Sequence, residues 1–343
     1  MELKERSQQV LKAVVFSYIK IGYPIGSLTI TENYRFGLSP ATIRNIMAEL
    51  EEMGYLSQPH TSSGRIPTEK GYRFYVDYVA AMGRPQGQEF GFLEESRLAP
   101  KREDLKELLQ ETSQLLSFLS HYTGIVMAPN LSNTLFKRLE FITLRRDHLL
   151  VILVTQDGFI QNRIIEVTED LEQADLDRIA SYLNEQFSGL DLQEVRRRLL
   201  HQMGEEKELY DRILSKAIEL GQKALSAQPE SELYLGGTAN ILNLPEFADL
   251  EKMKALFRAF EEKAVIVKLL NKCLDAEGVQ VFIGSENENE GMEHCSLVVT
   301  NYKRGSRILG TLGVIGPTRM EYERVIPLVD HTAKLLTRLL EQD

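Results

Sequence analysis

Two adjacent side chains near residue 45 have the chemistry needed to read nucleic-acid bases. They lie in the stretch "LSPATIRNIMAELEEMGYLSQPHTSSGRIPT", residues 38–68. Arg44 can donate to O6 and N7 of guanine, and Asn45 can pair with N6 and N7 of adenine. Each such pair contributes about 1–3 kcal/mol of discrimination between bases. The two residue types therefore predict base contacts in a major groove.

A second group of polar residues follows, where the sequence predicts the tip of a hairpin. No acidic residue occurs between Ser57 and Thr68. Hydroxyl and basic side chains in such a tip can bind backbone phosphates or enter the minor groove. The candidate DNA-binding residues of the tip are His60, Thr61, Ser62, Ser63 and Arg65.

The base-reading pair must be held on a helix that presents it outward. Ser39 is a good N-cap, and Pro40 suits the first helical position because its missing N–H is not needed there. A stripe with helical period faces inward, namely Ile43, Ile46, Met47, Leu50 and Met53. Ala41, Asn45 and Ala48 point outward, with Thr42 and Arg44 on the flanks, and the candidate DNA-binding residues of this helix are Ser39, Ala41, Thr42, Arg44 and Asn45. Small residues permit close approach to DNA, and a helix N-terminus attracts phosphate.

Residues 1–82 as a whole predict a winged helix-turn-helix domain. A first helix buries one face, made of Val10, Leu11, Val14, Val15, Tyr18 and Ile19. A short second helix capped by Ser27 precedes the helix that starts after Ser39, and two strands then flank a turn at Gly64. Thr68 caps a fourth helix. Two other interpretations stay open: the exposed Arg and Asn are merely solvated, or the domain binds a protein instead of DNA.

The composition indicates an intracellular globular protein of two or three domains. The 343 residues carry a formal net charge of −10, yet residues 1–80 hold nine Lys or Arg against eight Asp or Glu. Nucleic-acid binding by the whole surface is therefore disfavoured, but binding by a local patch is not. The two cysteines, Cys273 and Cys295, cannot form a disulfide framework, and no signal peptide or membrane-spanning run is visible. We expect a cytoplasmic protein.

The rest of the chain predicts a linker and an α+β domain with an insertion. Residues 83–104 are rich in Gly and Pro without periodicity, which is typical of a linker. Residues 105–188 and 251–343 combine helices with hairpin-linked strand patterns, which predicts an antiparallel α+β domain. The helix-rich residues 189–250 lie between these two halves and are predicted to be an inserted domain.

Spacings that would support catalysis or cofactor binding are weak. "GTLGVIG" (310–316) is not followed by a helix start, and "YLGGTANIL" (234–242) lacks the Lys of a P-loop. His294 beside Cys295 is the closest pair of metal-ligand types, and no local Ser, His and Asp grouping can be assembled. The sequence therefore predicts a protein that is not an enzyme and needs no metal or cofactor.

The stretch "LSPATIRNIMAELEEMGYLSQPHTSSGRIPTEKGYRFYVDY" (38–78) closely resembles the signature region of the HrcA family of heat-inducible transcription repressors. The resemblance extends to "GSLTI" (26–30), "LYLGGTANIL" (233–242), "LFRAFEEK" (256–263) and "GTLGVIGPTRMEYERVI" (310–326). It thus covers most of the chain in the same order. Leu28 and Ile46 depart from the family pattern, which usually has a basic residue and a glutamate there. The lost charge at Leu28 could remove one phosphate contact.

The resemblance implies a winged-helix head, a GAF-like domain and an insertion that mediates dimerisation. It also implies a dimeric repressor of chaperone operons that binds the inverted-repeat CIRCE operator, with one recognition helix per half-site. The chaperonin is the implied partner that keeps the repressor active. A small-molecule-sensing winged-helix regulator is the alternative, because GAF-like domains often enclose ligands. An enzyme that uses the winged helix as an adaptor is a third possibility, and it would require a catalytic cluster.

Overall fold

The structure is a computed structural model that describes most of the chain in two compact units. It describes residues 3–60, 63–82, 105–129, 134–145, 147–156, 158, 160–167, 171–205, 212–225, 233–274, 276–288, 291–305 and 307–341. The first unit comprises Met1–Ala128 and Leu233–Asp343, and the second comprises Pro129–Glu232. The predicted linker, residues 83–104, lies outside the described residues. The fold class is mixed α+β with antiparallel sheets, as predicted.

The N-terminal segment of the first unit, residues 3–82, contains four helices and one small hairpin. Its elements are α1 (Glu5–Ile21), α2 (Ser27–Asn33), α3 (Pro40–Glu52), β1 (Leu56–Ser57), β2 (Ile66–Pro67) and α4 (Glu69–Ala81). The apolar face of α1 is buried, including Val10, Leu11, Val14, Val15 and Ile19. The predicted cap of α2 was wrong, because Gly26 is the N-cap and Ser27 is the buried first residue of the helix.

The remainder of the first unit, called the core here, is a five-stranded antiparallel sheet with helices. Its elements are α5 (Leu105–Ser120), β3 (Thr123–Met127), β7 (Leu233–Gly236), α9 (Leu250–Glu261), α10 (Lys263–Lys272), β8 (Gln280–Ile283), β9 (Cys295–Arg304), β10 (Arg307–Pro317) and α11 (Tyr322–Glu341). The strand order is β7-β3-β10-β9-β8. Apolar residues of strands and helices form one buried cluster that includes Ile125, Leu256, Phe260, Ile266, Leu297 and Ile315.

The second unit is a three-stranded antiparallel sheet covered on one face by helices. Its elements are β4 (Phe136–Arg145), β5 (His148–Thr155), β6 (Ile160–Glu166), α6 (Gln173–Phe187), α7 (Leu192–Glu205) and α8 (Arg212–Leu225). Alternate strand residues pack with helix residues in one buried cluster that includes Leu139, Phe141, Val151 and Leu153 of the strands and Leu176 and Leu183 of α6. The other sheet face carries apolar side chains that are exposed or half-buried. We call this the open sheet face: Ile142, Leu150, Ile152, Val154, Ile160 and Ile164.

The division into units differs from the predicted domain boundaries. The strands between residues 136 and 166 were predicted to share a sheet with those near the C-terminus, with residues 189–250 as the insertion. In the structure these strands pair with one another, in the order β4-β5-β6. Residues 129–232 therefore form the separate unit. Conversely, β7 was assigned to the insertion but pairs with β3, so it belongs to the first unit. The physical reason is that hairpin-linked strands pair locally, while β7 completes the edge of the core sheet.

Candidate nucleic-acid interface

The N-terminal turn of α3 is closed by its own hydroxyl side chains. The N–H of Thr42 donates to Oγ of Ser39 at 3.1 Å, which satisfies one of the free amides at the helix start. The two hydroxyl oxygens of Ser39 and Thr42 are 2.9 Å apart. Pro40 occupies the first turn, and that turn holds no acidic residue. The start of α3 is therefore an ordered, electropositive helix end.

The predicted reading residues lie on the solvent side of α3. We call Ala41, Thr42, Arg44 and Asn45, all of which are exposed, the reading face. The opposite side of the helix is buried through Ile43, Met47 and Leu50. Ile46 is only partly buried, so the packed stripe is narrower than predicted. The acidic residues Glu49 and Glu52 are exposed further along the helix. The acid-free half of the exposed surface is thus the half nearest the N-terminus.

A backbone ladder holds the hairpin against the segment before α2. β1 and β2 pair antiparallel, with Leu56 opposite Pro67 and Ser57 opposite Ile66. Ile25 and Arg65 exchange two backbone hydrogen bonds of 2.9 Å. Gly64 was predicted to permit the hairpin turn. In the structure, glycine is required there because the backbone of Ile25 comes so close that a Cβ would lie 2.4 Å from the Ile25 carbonyl. The hairpin is therefore held by the pairing of β1 with β2 and by the backbone bridge between Arg65 and Ile25.

The hydroxyl of Ser63 closes the hairpin tip. Its Oγ donates to the carbonyl of His60 at 2.7 Å and accepts from the His60 N–H at 3.0 Å. The amide of Gln58 donates to the Ser63 carbonyl at 2.9 Å. Ser63 thus shapes the tip, in addition to its predicted contact with backbone phosphates or the minor groove, which stays a prediction. His60 is exposed, and Thr61 and Ser62 lie outside the described residues.

Arg65 is an internal link, which the sequence did not indicate. Its Nε donates to Oε2 of Glu51 at 2.7 Å, and the Arg65 side chain is 18% exposed. The guanidinium therefore connects the hairpin to α3 instead of standing free for DNA. The pairing of Arg65 with Glu51 was not predicted, because the two residues are 14 positions apart in the sequence and meet only in the folded chain. An opposite charge on a neighbouring helix would have been the available signal.

Other chemistry has little support in the structure. Within the described ranges, no group of three or more His, Cys, Asp or Glu residues could hold a metal ion. An open groove of about 510 Å³ lies between α5 and the turn after β7, lined by Glu111, Gln114, Leu115, Ser117, Phe118, Gly237 and Asn240. None of the helices in the described part of the chain is long and apolar enough to cross a membrane.

Comparison with known proteins connects this arrangement to transcription repressors. The sequence model of the HrcA protein C-terminal domain matches residues 106–326. The heat-inducible transcription repressor HrcA of Geobacter sulfurreducens is 48% identical over 340 residues, covering 99% of both chains. The repressor of the same name from Syntrophobacter fumaroxidans is 43% identical over 343 residues, covering 99% of this chain and 98% of the relative.

A solved structure of a hypothetical protein shares the fold. It superposes with a TM-score of 0.65 at 23% identity and covers 99% of both chains. The matched domain and the full-length relatives together place the protein in a class of repressors of transcription. The chain belongs to the HrcA family of heat-inducible transcription repressors. The relatives reported above are named as repressors, not as enzymes.

Proposed function

We propose that the protein is a dimeric repressor of heat-shock chaperone operons that binds the inverted-repeat CIRCE operator. Residues 3–82 act as a winged helix-turn-helix domain, with α3 as recognition helix and the hairpin as wing, and the core acts as a GAF-like domain. The observation that carries the proposal is the exposed, acid-free reading face at the N-terminal half of α3. Membership of the HrcA family supports the repressor role.

The reading face suits entry into the major groove with the helix N-terminus first. Arg44 pairs with guanine and Asn45 with adenine on the base edges. Ala41 lets the helix approach closely because its side chain ends at Cβ. The hydroxyls of Ser39 and Thr42 lie at the electropositive helix end, where backbone phosphates bind well. His60 contacts phosphate from the hairpin tip, with Thr61 and Ser62 beside it in sequence.

The open sheet face of the second unit is the dimerisation surface in this proposal. Its exposed members include Ile160 at 66% and Ile164 at 57% relative exposure. In register, Leu150 lies between Ile142 and Ile164, so one row of apolar side chains crosses all three strands. An apolar patch of this kind marks an interaction site. A second copy is the fitting partner, because an inverted repeat requires two-fold symmetry.

The dimer surface is tested by analytical ultracentrifugation of the full chain. Ile164→Glu places a charge in the open sheet face and should yield monomers. Leu250→Glu is the matched control, since Leu250 is equally exposed, at 56%, but lies in the first unit. A dimeric Ile164→Glu variant would remove this surface from the proposal.

Regulation by the chaperonin and a cytoplasmic location complete the proposal. Both rest on the family resemblance, and a repressor must in any case reach the chromosome. Mixing the purified protein with chaperonin should raise the fraction that binds operator. No change in that fraction at any chaperonin concentration would contradict this part.

The DNA-binding role is tested by fluorescence-anisotropy titration at two salt concentrations. The protein is titrated against a CIRCE duplex and a scrambled duplex of equal length. Tight, operator-selective binding together with weak, salt-sensitive binding to scrambled DNA is expected. Equal affinity for the two duplexes, with and without chaperonin, would overturn the proposal.

A further inference from the structure

The N-terminal segment is docked on the core through elements that carry no reading residue. The contacts come from the C-terminal end of α1 and from α4, whereas the reading face is on α3. They form two polar anchor points. Tyrosines from the N-terminal segment and from the core are buried beside these points. The docking therefore leaves the reading face exposed while it determines the direction in which that face points.

The first anchor joins α4 to the turn that follows β8. Nε of Arg73 donates to Oε1 of Glu286 at 3.0 Å, and its Nη2 donates to the carbonyl of Val281 at 2.6 Å. One turn earlier in α4, Glu69 accepts a hydrogen bond of 3.0 Å from the N–H of Ser285. A Cβ at Gly284 would lie 2.0 Å from Oε1 of Glu69, so this turn approaches α4 very closely.

The second anchor joins the end of α1 to the segment before α11. Nη1 of Arg319 donates to the carbonyl of Ile19 at 2.8 Å, and the same guanidinium is ion-paired with Glu246. Nζ of Lys20 lies 2.8 Å from Oε1 of Glu321. A cation bound to the last carbonyls of a helix also interacts favourably with the helix dipole. Both charged contacts therefore favour the docked position.

Buried tyrosines accompany the two anchors. The rings of Tyr72 and Tyr322 are 6.3 Å apart, and both side chains are buried. Tyr75 donates its hydroxyl proton to Oε1 of Glu323 at 2.7 Å. Burial and this hydrogen bond raise the pKa of Tyr75, so the hydroxyl remains a donor at neutral pH. A few aromatic contacts and a polar rim thus hold the segment in one orientation.

We propose that these contacts are a latch that fixes the direction of the reading face, and that heat inactivates the repressor by releasing it. The latch comprises Lys20, Glu69 and Arg73 of the N-terminal segment and Ser285, Glu286, Arg319 and Glu321 of the core. This proposal rests on the proposed function, because it concerns the affinity for an operator with two half-sites.

Release of the latch should weaken operator binding, and heat should favour release. A dimer with latched segments binds both half-sites as one preorganised body, whereas released segments must lose orientational freedom on binding. Release gains conformational entropy, so it becomes more favourable as the temperature rises. The anchors are weak enough to open: side-chain exposure is 31% for Arg73, 36% for Glu286 and 50% for Lys20, and partly exposed ion pairs are individually weak. The latched state is therefore the one that represses.

The test compares Glu286→Gln and Arg73→Gln with the matched control Glu288→Gln in the full-length protein. Gln at position 286 keeps an acceptor for the Ile283 N–H, which Glu286 binds at 2.9 Å. Glu288 lies two residues further along the chain. It forms an ion pair with Lys272, which also belongs to the core, so this pair does not involve the N-terminal segment. The latch variants should lose about two- to fivefold in affinity for the full inverted repeat, because each removes one partly exposed ion pair. Their affinity for a duplex with a single half-site should equal that of the wild type, and the control should match the wild type on both.

Temperature and hydrogen exchange supply the deciding readouts. The latch variants should lose binding to the full repeat at a lower temperature than the control. Unchanged or tighter binding to the full repeat would overturn the latch. If the wild type itself shows no operator preference, the proposed function fails, and the latch is then judged by amide hydrogen exchange. Faster exchange in α4 and at Ser285 in the latch variants supports it, and equal exchange overturns it.

Discussion

Arg65 donates from Nε to Oε2 of Glu51 at 2.7 Å and thereby joins the hairpin to the last turn of α3. The ion pair is partly buried, since the side chains are 18% and 33% exposed. With the backbone bridge between Arg65 and Ile25, it fixes the hairpin relative to both α2 and α3. The geometry of the proposed DNA-binding surface therefore depends on one residue that the sequence suggests as a phosphate ligand.

Glu51→Gln should raise the affinity for scrambled DNA, because it releases the Arg65 guanidinium toward phosphate. The salt dependence of scrambled binding should become steeper by about one phosphate contact. Glu49→Gln is the matched control, since it removes an exposed carboxylate from the same helix without releasing Arg65. Equal effects of the two substitutions in anisotropy titrations would show that the ion pair does not restrain Arg65.

Arg44→Ala should weaken operator binding by about 1–3 kcal/mol, which corresponds to a loss of roughly five- to 150-fold. Binding to scrambled DNA should change much less, because a base contact is lost and few phosphate contacts are. Arg338→Ala removes an exposed arginine from α11 and serves as the control. Equal losses on both duplexes for Arg44→Ala would assign Arg44 to the phosphate backbone.

Gly64→Ala should destabilise the N-terminal segment by about 1–3 kcal/mol, because the new Cβ would overlap the Ile25 backbone. Gly26→Ala is a close control, since nothing lies within 4 Å of its Cβ position. That substitution should cost less than about 1 kcal/mol, as expected for an N-cap. Thermal unfolding monitored by circular dichroism compares the two. Equal unfolding temperatures would mean that the hairpin moves away from Ile25 without cost.

The buried thiols should make the protein less stable in alkaline solution. Burial raises the pKa of Cys295 to about 12 and that of Cys273 to about 11. The folded state therefore holds these protons more tightly than the unfolded state, whose thiols titrate near about 8.5. The free energy of unfolding should be unaffected below that pH. Above it, the free energy should fall by at most about 1.4 kcal/mol per pH unit and thiol.

Urea unfolding between about pH 8 and pH 10.5 measures the decrease in the free energy of unfolding. The decrease should begin near pH 8.5, the ordinary pKa of a thiol. Cys295→Ala should show a smaller decrease with pH than the wild type, whatever its stability at neutral pH. Parallel pH profiles for the two proteins would exclude a contribution from Cys295.

Local features of the interface could be predicted from the sequence. The caps at Ser39 and Thr68 depend on residues three positions apart, and both form in the structure. The outward position of Arg44 and Asn45 follows from helical period alone. The ion pair of Arg65, the internal bonds of the Ser63 hydroxyl and the anchors on the core depend on distant parts of the chain, so spacing could not reveal them.

Strand partners were predicted less well than strands. The β-rich segments 136–146, 149–155 and 159–167 were predicted to be strands, and the structure has strands at Phe136–Arg145, His148–Thr155 and Ile160–Glu166. An alternating pattern reports which face is buried, but it does not report which strand lies alongside. The two sheets were therefore merged into one in the prediction. The short β7, only four residues long, was attributed to the wrong side of the boundary for the same reason.

The second unit leaves the core sheet and returns to it at one place. Met127, at the end of β3, is the register partner of Leu233, at the start of β7. Partners in an antiparallel pair lie only about 4.5–5.5 Å apart, a gap that a two-residue reverse turn can close. Residues 129–232 are thus a replaceable segment in the architecture of the chain. Replacing them by a short turn that joins β3 to β7 should leave a shorter protein that still folds, and the segment could be exchanged without disturbing the sheet that carries it.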